Sequence, residues 1–142
     1  MWSRPPEELC DRLIAVGRVV SDALEIVVAH HVATDAPLVL EGDDLLPAMA
    51  ARGSFASLDV GRRVRAVVLV EPDEAAILDA MLARGRGVDR HTEREQRTQA
   101  RASWLYGEWL RREAEAHGIP VIEPRPWATL LDRAMPATGD HR

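Results

Sequence analysis

The sequence predicts an α/β fold, a three-layer α/β/α domain in which a parallel sheet lies between two layers of helices. Three apolar runs of strand length, at residues 37 to 40, 64 to 70 and 119 to 122, alternate with longer segments of helical periodicity. Alternation on this scale is typical of strands joined by helical crossovers, which makes neighbouring strands parallel. Each run is followed by a glutamate, namely Glu41, Glu71 and Glu123. We therefore expect three acidic strand ends at the edge of the sheet where ligands bind.

Composition and charge limit the functions that this chain can have. Its 142 residues, of which 46% are hydrophobic, suit one domain with a sizeable core over residues 1 to 142. The net charge of −5 gives no reason to expect nucleic acid as a partner. All 18 basic residues counted as lysine or arginine are arginines. A phosphate-binding loop of the G-x-x-x-x-G-K-[ST] type needs a lysine, so these residues do not contain one.

The single cysteine and the absence of a long apolar run bear on location. Cys10 has no cysteine to pair with, which excludes an intramolecular disulfide and favours a small core residue. The first residues have no basic region followed by an apolar one, and no apolar run approaches the length of a membrane span. We expect a soluble, cytoplasmic protein that does not contact a membrane.

Residues 5 to 33 are predicted to form one long helix. Prolines stand at its entry and Glu7 and Glu8 occupy its first turn, where the helix dipole favours acids. Apolar residues recur at spacings of three and four and predict a buried stripe. The stripe consists of Leu9, Leu13, Val16, Val20, Leu24, Val27 and Val28.

The stretch APLVLEGDD, residues 36 to 44, predicts a strand buried on both faces with an acidic end. Glu41 at that end is placed for chemistry, and Gly42 lets the backbone turn sharply beside a ligand. An alternative is that Glu41 only ends the strand and Asp43 caps the following helix. A short helix at residues 43 to 53 and a loop at residues 54 to 63 should follow.

The remaining elements follow from the same signals. The strand at residues 64 to 70 leads through Glu71 and Pro72 into a helix that begins at Asp73. Residues 85 to 92 are polar and glycine-rich, which predicts a loop. A long helix over residues 93 to 117, the third strand, a helix over residues 126 to 135 and a frayed tail complete the chain.

From residue 36 onward the sequence resembles the P-loop small-molecule kinases, the group that includes shikimate kinase, adenylate kinase and 2-phosphoglycerate kinase. PLVLEGDD is similar to the strand that carries their Walker B acid, and LARGRGVDR is similar to their arginine-bearing lid. GIPVIEPRPW is similar to their last strand and the loop beside the adenine. The order and spacing of these three segments carry the resemblance.

The resemblance implies an ATP-dependent phosphotransferase that uses Mg²⁺ and acts on a small hydroxylated phosphate acceptor. Glu41 would orient Mg²⁺ through water or accept the proton of the acceptor hydroxyl, and Asp43 would assist it. Residues 84 to 97 would form the lid, whose guanidinium groups close over the triphosphate. The lid arginines are Arg84, Arg86 and Arg90, and the residues implied beside the adenine are Arg125 and Pro126.

The chain departs from that family at one point, because the family's first strand, its glycine-rich loop and the helix after it are missing. In the family the missing strand lies between the strands that end here in Glu41 and Glu71. Its loss would leave unpaired backbone groups, each costing about 1 to 3 kcal/mol when buried. Either the two strands close up, or another chain fills the gap, or this polypeptide is a fragment of a longer kinase that is nearly inactive alone.

Two other functions remain open at this stage. One is a non-catalytic binding or regulatory module that pairs with a partner chain or a second copy of itself through exposed strand edges. The other is a hydrolase that uses Glu41 and Asp43. It has less support, because no serine and histidine stand at a recognisable motif spacing.

Overall fold

The computed structural model describes residues 4–85 and 90–139 and shows a mostly helical protein. Of the described residues, 59% are helical and only 6% lie in strands. These strands form two short sheets of two strands each. The predicted three-layer α/β/α domain with a parallel sheet is therefore wrong for this chain.

The predicted N-terminal helix forms as two helices that follow each other almost without interruption. Helix α1 spans Pro6–Ala23 and helix α2 spans Glu25–Ala33. At the junction the Leu24 N–H donates to the Val20 carbonyl at 2.9 Å, and the Val28 N–H donates to the Leu24 carbonyl at 3.0 Å. Leu24 lies between these two bonds with a ψ of −9°, away from the helical value, and interrupts the helix.

The buried face of these helices differs from the predicted stripe. Leu9 and Val28 are buried as expected, and Ile14 is buried although it was not predicted. Val16 is 50% exposed and Val27 is 38% exposed, so the stripe is shifted around the helix axis. Helices α1 and α2 carry apolar residues on two faces, so the spacing of apolar residues alone does not predict which of them are buried.

The prediction of a strand at residues 37 to 40 is wrong. Residues 36 to 42 are extended and exposed, with Val39 91% exposed to solvent. None of residues 37–41 makes a backbone hydrogen bond to another described residue. A strand is stable only when a neighbour satisfies its amides and carbonyls, and within the described ranges this segment has no such neighbour.

The next segment contains a short helix and a hairpin. Helix α3 spans Pro47–Ala50, with Pro47 in its first turn, where the missing amide hydrogen costs no helical hydrogen bond. Strands β1, Ser54–Phe55, and β2, Leu58–Asp59, pair antiparallel where a loop was predicted. Ala56 and Ser57 between them have φ values of 44° and 67°, as a two-residue hairpin turn requires.

Two of the three predicted strands do pair in parallel. Strand β3 spans Val68–Leu69 and strand β4 spans Val121–Ile122, with Val68 opposite Val121. The Val68 N–H donates to the Pro120 carbonyl at 2.9 Å and the Val70 N–H donates to the Ile122 carbonyl at 3.1 Å. The pairing is short, but its direction is the one expected.

Capping interactions determine where the two helices between β3 and β4 begin. Helix α4 spans Glu74–Arg84 and begins where the Asp73 carboxylate accepts from the Ala75 N–H at 2.9 Å. Helix α5 spans Glu93–Ala116 and begins with a capping box between Thr92 and Glu95. A 3₁₀ turn, Trp127–Thr129, and helix α6, Leu130–Ala137, follow β4.

The core consists of two clusters joined by the loop that carries α3. One cluster joins α2, α3 and the hairpin through Val28, Ala29, Met49, Phe55 and Val60. The other joins α1, the start of α3 and α5 through Cys10, Ile14, Leu46 and Tyr106. Cys10 is a core residue, as predicted.

Within residues 4–85 and 90–139, the helices are too short or too polar to cross a bilayer.

Candidate functional site

The carboxyl ends of β3 and β4 form the first part of the candidate site. Because the strands are parallel and Leu69 lies opposite Ile122, the residues that follow each strand emerge at the same edge. Glu71 follows β3, Glu123 follows β4, and Arg125 lies two residues further along the chain. We call Glu71, Glu123 and Arg125 the carboxylate edge.

Glu71 is the organising residue of the carboxylate edge. One of its oxygens lies 2.5 Å from Nη2 of Arg125, and the other accepts from the Asp73 N–H at 3.1 Å. Its side chain is 19% exposed while that of Arg125 is 49% exposed. Both oxygens of Glu71 are therefore engaged, so this carboxylate positions Arg125 and the turn into α4 rather than facing a ligand.

Arg133 is a site residue that sequence reasoning missed. From α6 its guanidinium donates to the carbonyls of Glu123 at 2.6 Å, Pro124 at 3.2 Å and Pro126 at 3.1 Å. These bonds hold the loop after β4, including the cis peptide bond between Arg125 and Pro126. No motif marks Arg133, but an arginine on the helix after a proline-rich loop could have been examined for this role.

Glu41 and Asp43 lie beyond the unpaired segment, and both are exposed. Glu41 makes no ion pair or side-chain hydrogen bond with another residue in the part of the chain that the structure describes. The backbone carbonyl of Asp43 accepts from Oη of Tyr106 at 2.7 Å. The residue that caps α3 is Leu46, so Asp43 does not cap that helix.

Tyr106 ties this acidic segment to the middle of α5. The residue is 6% exposed, and its ring stacks on Trp109 with centroids 6.0 Å apart. Burial raises the pKa of Tyr106, and the nearby carboxylates of Asp44 and Asp43 raise it further. The phenol is therefore neutral across the physiological range and acts as a hydrogen-bond donor.

The next residue of α5 brings β3 to the same place. A Cβ at Gly107 would lie 3.4 Å from Cγ1 of Val70, so the end of β3 packs closely on this turn. Adjacent residues of α5 thus contact the backbone of Asp43 and the side chain of Val70.

The outer edge of β3 carries no strand among the described residues. The amides of Val68 and Val70 point toward β4, so those of Val67 and Leu69 point the other way. Neither Val67 nor Leu69 donates an amide hydrogen bond to another residue within 4–85 and 90–139. The outer edge of β3 and the extended residues 37 to 41 are therefore both without a backbone partner in the described ranges.

Arg84, the first of the lid-like arginines, lies elsewhere. Helix α4 packs against α5 with Glu74 2.8 Å from Arg101, and Nε1 of Trp104 donates to the Pro72 carbonyl at 2.9 Å. Arg84 stands at the other end of α4, about 15 Å from Glu74 by the helical rise. Its exposed side chain is thus not gathered with the carboxylate edge.

The remaining lid residues are only partly described. Arg90 is exposed just before α5, and Arg86 lies outside the described residues. On α5 itself Arg97 pairs with Glu93 at 2.7 Å, and Arg101 lies 4.4 Å from the centroid of the Trp104 ring. The basic residues at the start of α5 are thus largely occupied by carboxylates and an aromatic face.

The residues present can hold only a limited part of a metal site. Among residues 4–85 and 90–139, no three histidine, cysteine, aspartate or glutamate side chains converge as metal ligands would. A site of the magnesium–nucleotide kind needs only one or two carboxylates, because phosphate oxygens and water supply the other ligands. Glu41 is a single exposed carboxylate.

The chain was compared with family models, curated proteins and solved structures. No family model, no curated protein and no solved structure matches it.

Proposed function

We propose that this chain forms the acidic, arginine-bearing part of an ATP-dependent phosphotransferase that acts on a small hydroxylated molecule. Its phosphate-binding loop would come from a segment outside the present 142 residues. The observation that carries the proposal is the parallel pairing of β3 and β4, which presents Glu71, Glu123 and Arg125 at one edge. The resemblance of three ordered sequence segments to P-loop kinases supports it.

The free edge of β3 supports the same proposal. A strand that precedes a phosphate-binding loop can pair with the amides and carbonyls of Val67 and Leu69, which find no backbone partner among the described residues. Such a strand would end at the same level as Glu71, close to Tyr106 and Gly107. Its loop would then stand next to Glu41 and Asp43, where charge on a phosphoryl group has to be balanced.

Each residue can then be given a role. Glu41, exposed and unpaired within the described residues, would accept the proton of the acceptor hydroxyl or hold a water ligand of Mg²⁺. Asp43, whose backbone is fixed by Tyr106, would orient the acceptor. Arg125, aimed by Glu71, would bind beside the nucleotide. When bound, Mg²⁺ would neutralise the phosphate oxygens. The cytoplasm, where ATP is available, is the compartment we propose.

Nucleotide binding tests this proposal. MgATP is titrated by calorimetry into the 142-residue chain, and into a longer chain that includes the residues its gene encodes before Met1. We expect no binding to the short chain below about 1 mM and a dissociation constant of about 1 to 100 μM for the longer one. Tight binding by the short chain, or the lack of a G-x-x-x-x-G-K-[ST] segment in the longer one, would overturn the proposal.

The role of Glu41 needs its own variant. In the longer chain Glu41→Gln should lower the rate of phosphoryl transfer by at least about 100-fold and change MgATP affinity by less than about threefold. Glu115→Gln, an exposed carboxylate near the end of α5, is the matched control and should change neither. Equal rates of phosphoryl transfer in the two variants would show that Glu41 takes no part in the reaction.

The unpaired elements also favour a second function, a binding module that recruits an extended segment of another protein. Residues 36 to 42 expose three consecutive apolar side chains, Leu38, Val39 and Leu40, at 42%, 91% and 37%. Apolar extended segments of this kind pair with partner strands. This function predicts that MgATP leaves the melting temperature of the longer chain unchanged, whereas the phosphotransferase predicts an increase.

A further inference from the structure

The outer face of α1 and α2 carries a second apolar surface that no other element of the described chain covers. It is formed by Val16, Val19, Ala23 and Ile26, which we call the outer stripe. Val16 is 50% exposed, Val19 is 70% exposed and Ile26 is 75% exposed. Their spacing of three, four and three residues places them on one side of the helix axis.

The outer stripe lies nearly opposite the face that forms the core. Cys10, Ile14, Gly17, Ser21 and Val28 are buried on that inner face. Single exposed apolar residues are ordinary on protein surfaces, but a continuous stripe along the outer face of a helix is typical of a contact surface. We therefore expect the stripe to bind a partner whose surface is complementary to it in shape and charge.

The charges beside the stripe indicate which partner this is. Arg18 and Asp22 lie one turn apart on the same flank of the stripe. Arg18 is exposed and forms no ion pair within residues 4–85 and 90–139. Asp22 is bound through Oδ1 to Arg52 at 3.0 Å, but its side chain is 74% exposed, so a second cation can reach it.

A second copy of α1 and α2, running antiparallel, satisfies both the stripe and these charges. When two helices run antiparallel, the same flank of each meets across the contact. With Val16 opposite Ile26 and Val19 opposite Ala23, Arg18 of each copy stands within about 3 Å, measured along the axis, of Asp22 of the other. A parallel arrangement would instead bring Arg18 against the opposite flank, where Val20 and Val27 offer no charge.

We propose that the outer stripe is a homodimer interface, with two copies of α1 and α2 related by a two-fold axis and joined by two Arg18–Asp22 ion pairs. The contact is isologous, so it closes at two copies. From Val16 to Ile26 the stripe is about 15 Å long. A contact along about 15 Å of one helix face buries less than the roughly 800 Å² per partner of a standard interface, so the dimer should be weak, with a dissociation constant of about 1 to 100 μM.

Sedimentation velocity on the 142-residue chain, from about 1 to about 500 μM, tests the interface. The native chain should shift from monomer to dimer over this range. Val19→Glu places a charge in the middle of the stripe and should raise the dissociation constant at least about tenfold. Leu131→Glu is the matched control, because Leu131 is 70% exposed and lies on α6, outside the stripe. This variant should dimerise like the native chain, and circular dichroism should show equal helix content in all three.

A charge exchange tests the predicted register. Arg18→Asp places two acids opposite each other and should weaken the dimer at least about tenfold. Adding Asp22→Arg restores opposite charges and should bring the dissociation constant back to within about threefold of the native value. Glu25 remains as a partner for Arg52 at 3.3 Å, so the monomer keeps this contact.

Four results would overturn the proposal. They are a chain that stays monomeric throughout, an assembly larger than two copies, equal weakening by Val19→Glu and Leu131→Glu, and a double exchange that fails to recover the dimer. Because none of these measurements involves nucleotide, they decide the interface independently of the proposed activity.

Discussion

Two helical glycines allow the packing of the core to be tested by a matched pair of substitutions. Gly17 lies in α1 and faces the loop before α3, where an added Cβ would come 2.6 Å from Cδ2 and 3.0 Å from Cγ of Leu46. Gly107 lies in α5, where an added Cβ would meet Cγ1 of Val70 at 3.4 Å, an ordinary contact. Replacing both by alanine separates the effect of crowding from that of helix propensity.

The expected magnitudes follow from these distances. Alanine in place of glycine within a helix stabilises by about 0.5 to 1 kcal/mol, which should be the whole effect of Gly107→Ala. Leu46 is 5% exposed and packed among Cys10, Ile14 and Tyr106, so it cannot move away without disturbing the core. Crowding of this kind costs about 1 to 3 kcal/mol. We expect Gly17→Ala to be less stable than Gly107→Ala by that amount.

Urea unfolding followed by far-ultraviolet circular dichroism measures both variants. The unfolding midpoint of Gly107→Ala should lie at or above that of the native chain, and that of Gly17→Ala should lie below that of Gly107→Ala with an unchanged slope. Gly17→Ala combined with Leu46→Ala is the further control, because the smaller side chain removes the clash. If the two single variants proved equally stable, the close contact between α1 and the loop before α3 would be refuted.

Three other predictions concern single residues. Tyr106→Phe removes the bond to the Asp43 carbonyl and should destabilise by about 1 to 2 kcal/mol in the same assay. Because the folded-state pKa of Tyr106 is raised, its contribution is complete below about pH 10 and is lost at higher pH. The native chain should therefore lose more stability than Tyr106→Phe between about pH 9 and about pH 11, and an equal loss would contradict the assignment. Thr92→Ala removes the capping box of α5 and should cost about 1 kcal/mol, whereas no change in the unfolding midpoint would show that the cap is dispensable. Cys10 is buried and its pKa is raised mainly by burial, so a thiol reagent should label it only in urea, and rapid labelling of the native chain would contradict its place in the core.

The helices were largely predictable because their signals are local. Prolines and Glu7 at the start of α1, Asp73 before α4 and Thr92 before α5 act through contacts within one turn. The junction at Leu24 and the exposure of Val16 were not predictable, because both depend on which face the rest of the chain covers.

The strands show where sequence patterns fail. The apolar run at residues 37 to 40 has the composition of a buried strand, but composition indicates only the ability to pair. Pairing needs a neighbour, and within the described ranges none lies beside this segment. The hairpin was missed because Ala56 and Ser57 adopt the left-handed turn positions that glycine and asparagine usually signal.

The candidate site was predictable in part. Glutamates after the strands at residues 64 to 70 and 119 to 122 do share one edge, as parallel strands require. The contact between Glu71 and Arg125 joins residues far apart in sequence, and no local pattern encodes it. For the same reason the bond from Tyr106 to Asp43 and the loop contacts of Arg133 became visible only in the folded chain.

Whether the edge formed by β3 and β4 belongs to a nucleotide-dependent enzyme is the central question. Calorimetric titration of MgATP into the short and the longer chain, side by side, answers it most directly. The proposal predicts heat of binding only for the longer chain, with a dissociation constant of about 1 to 100 μM. A longer chain that carries the glycine-rich loop and still takes up no MgATP would contradict it.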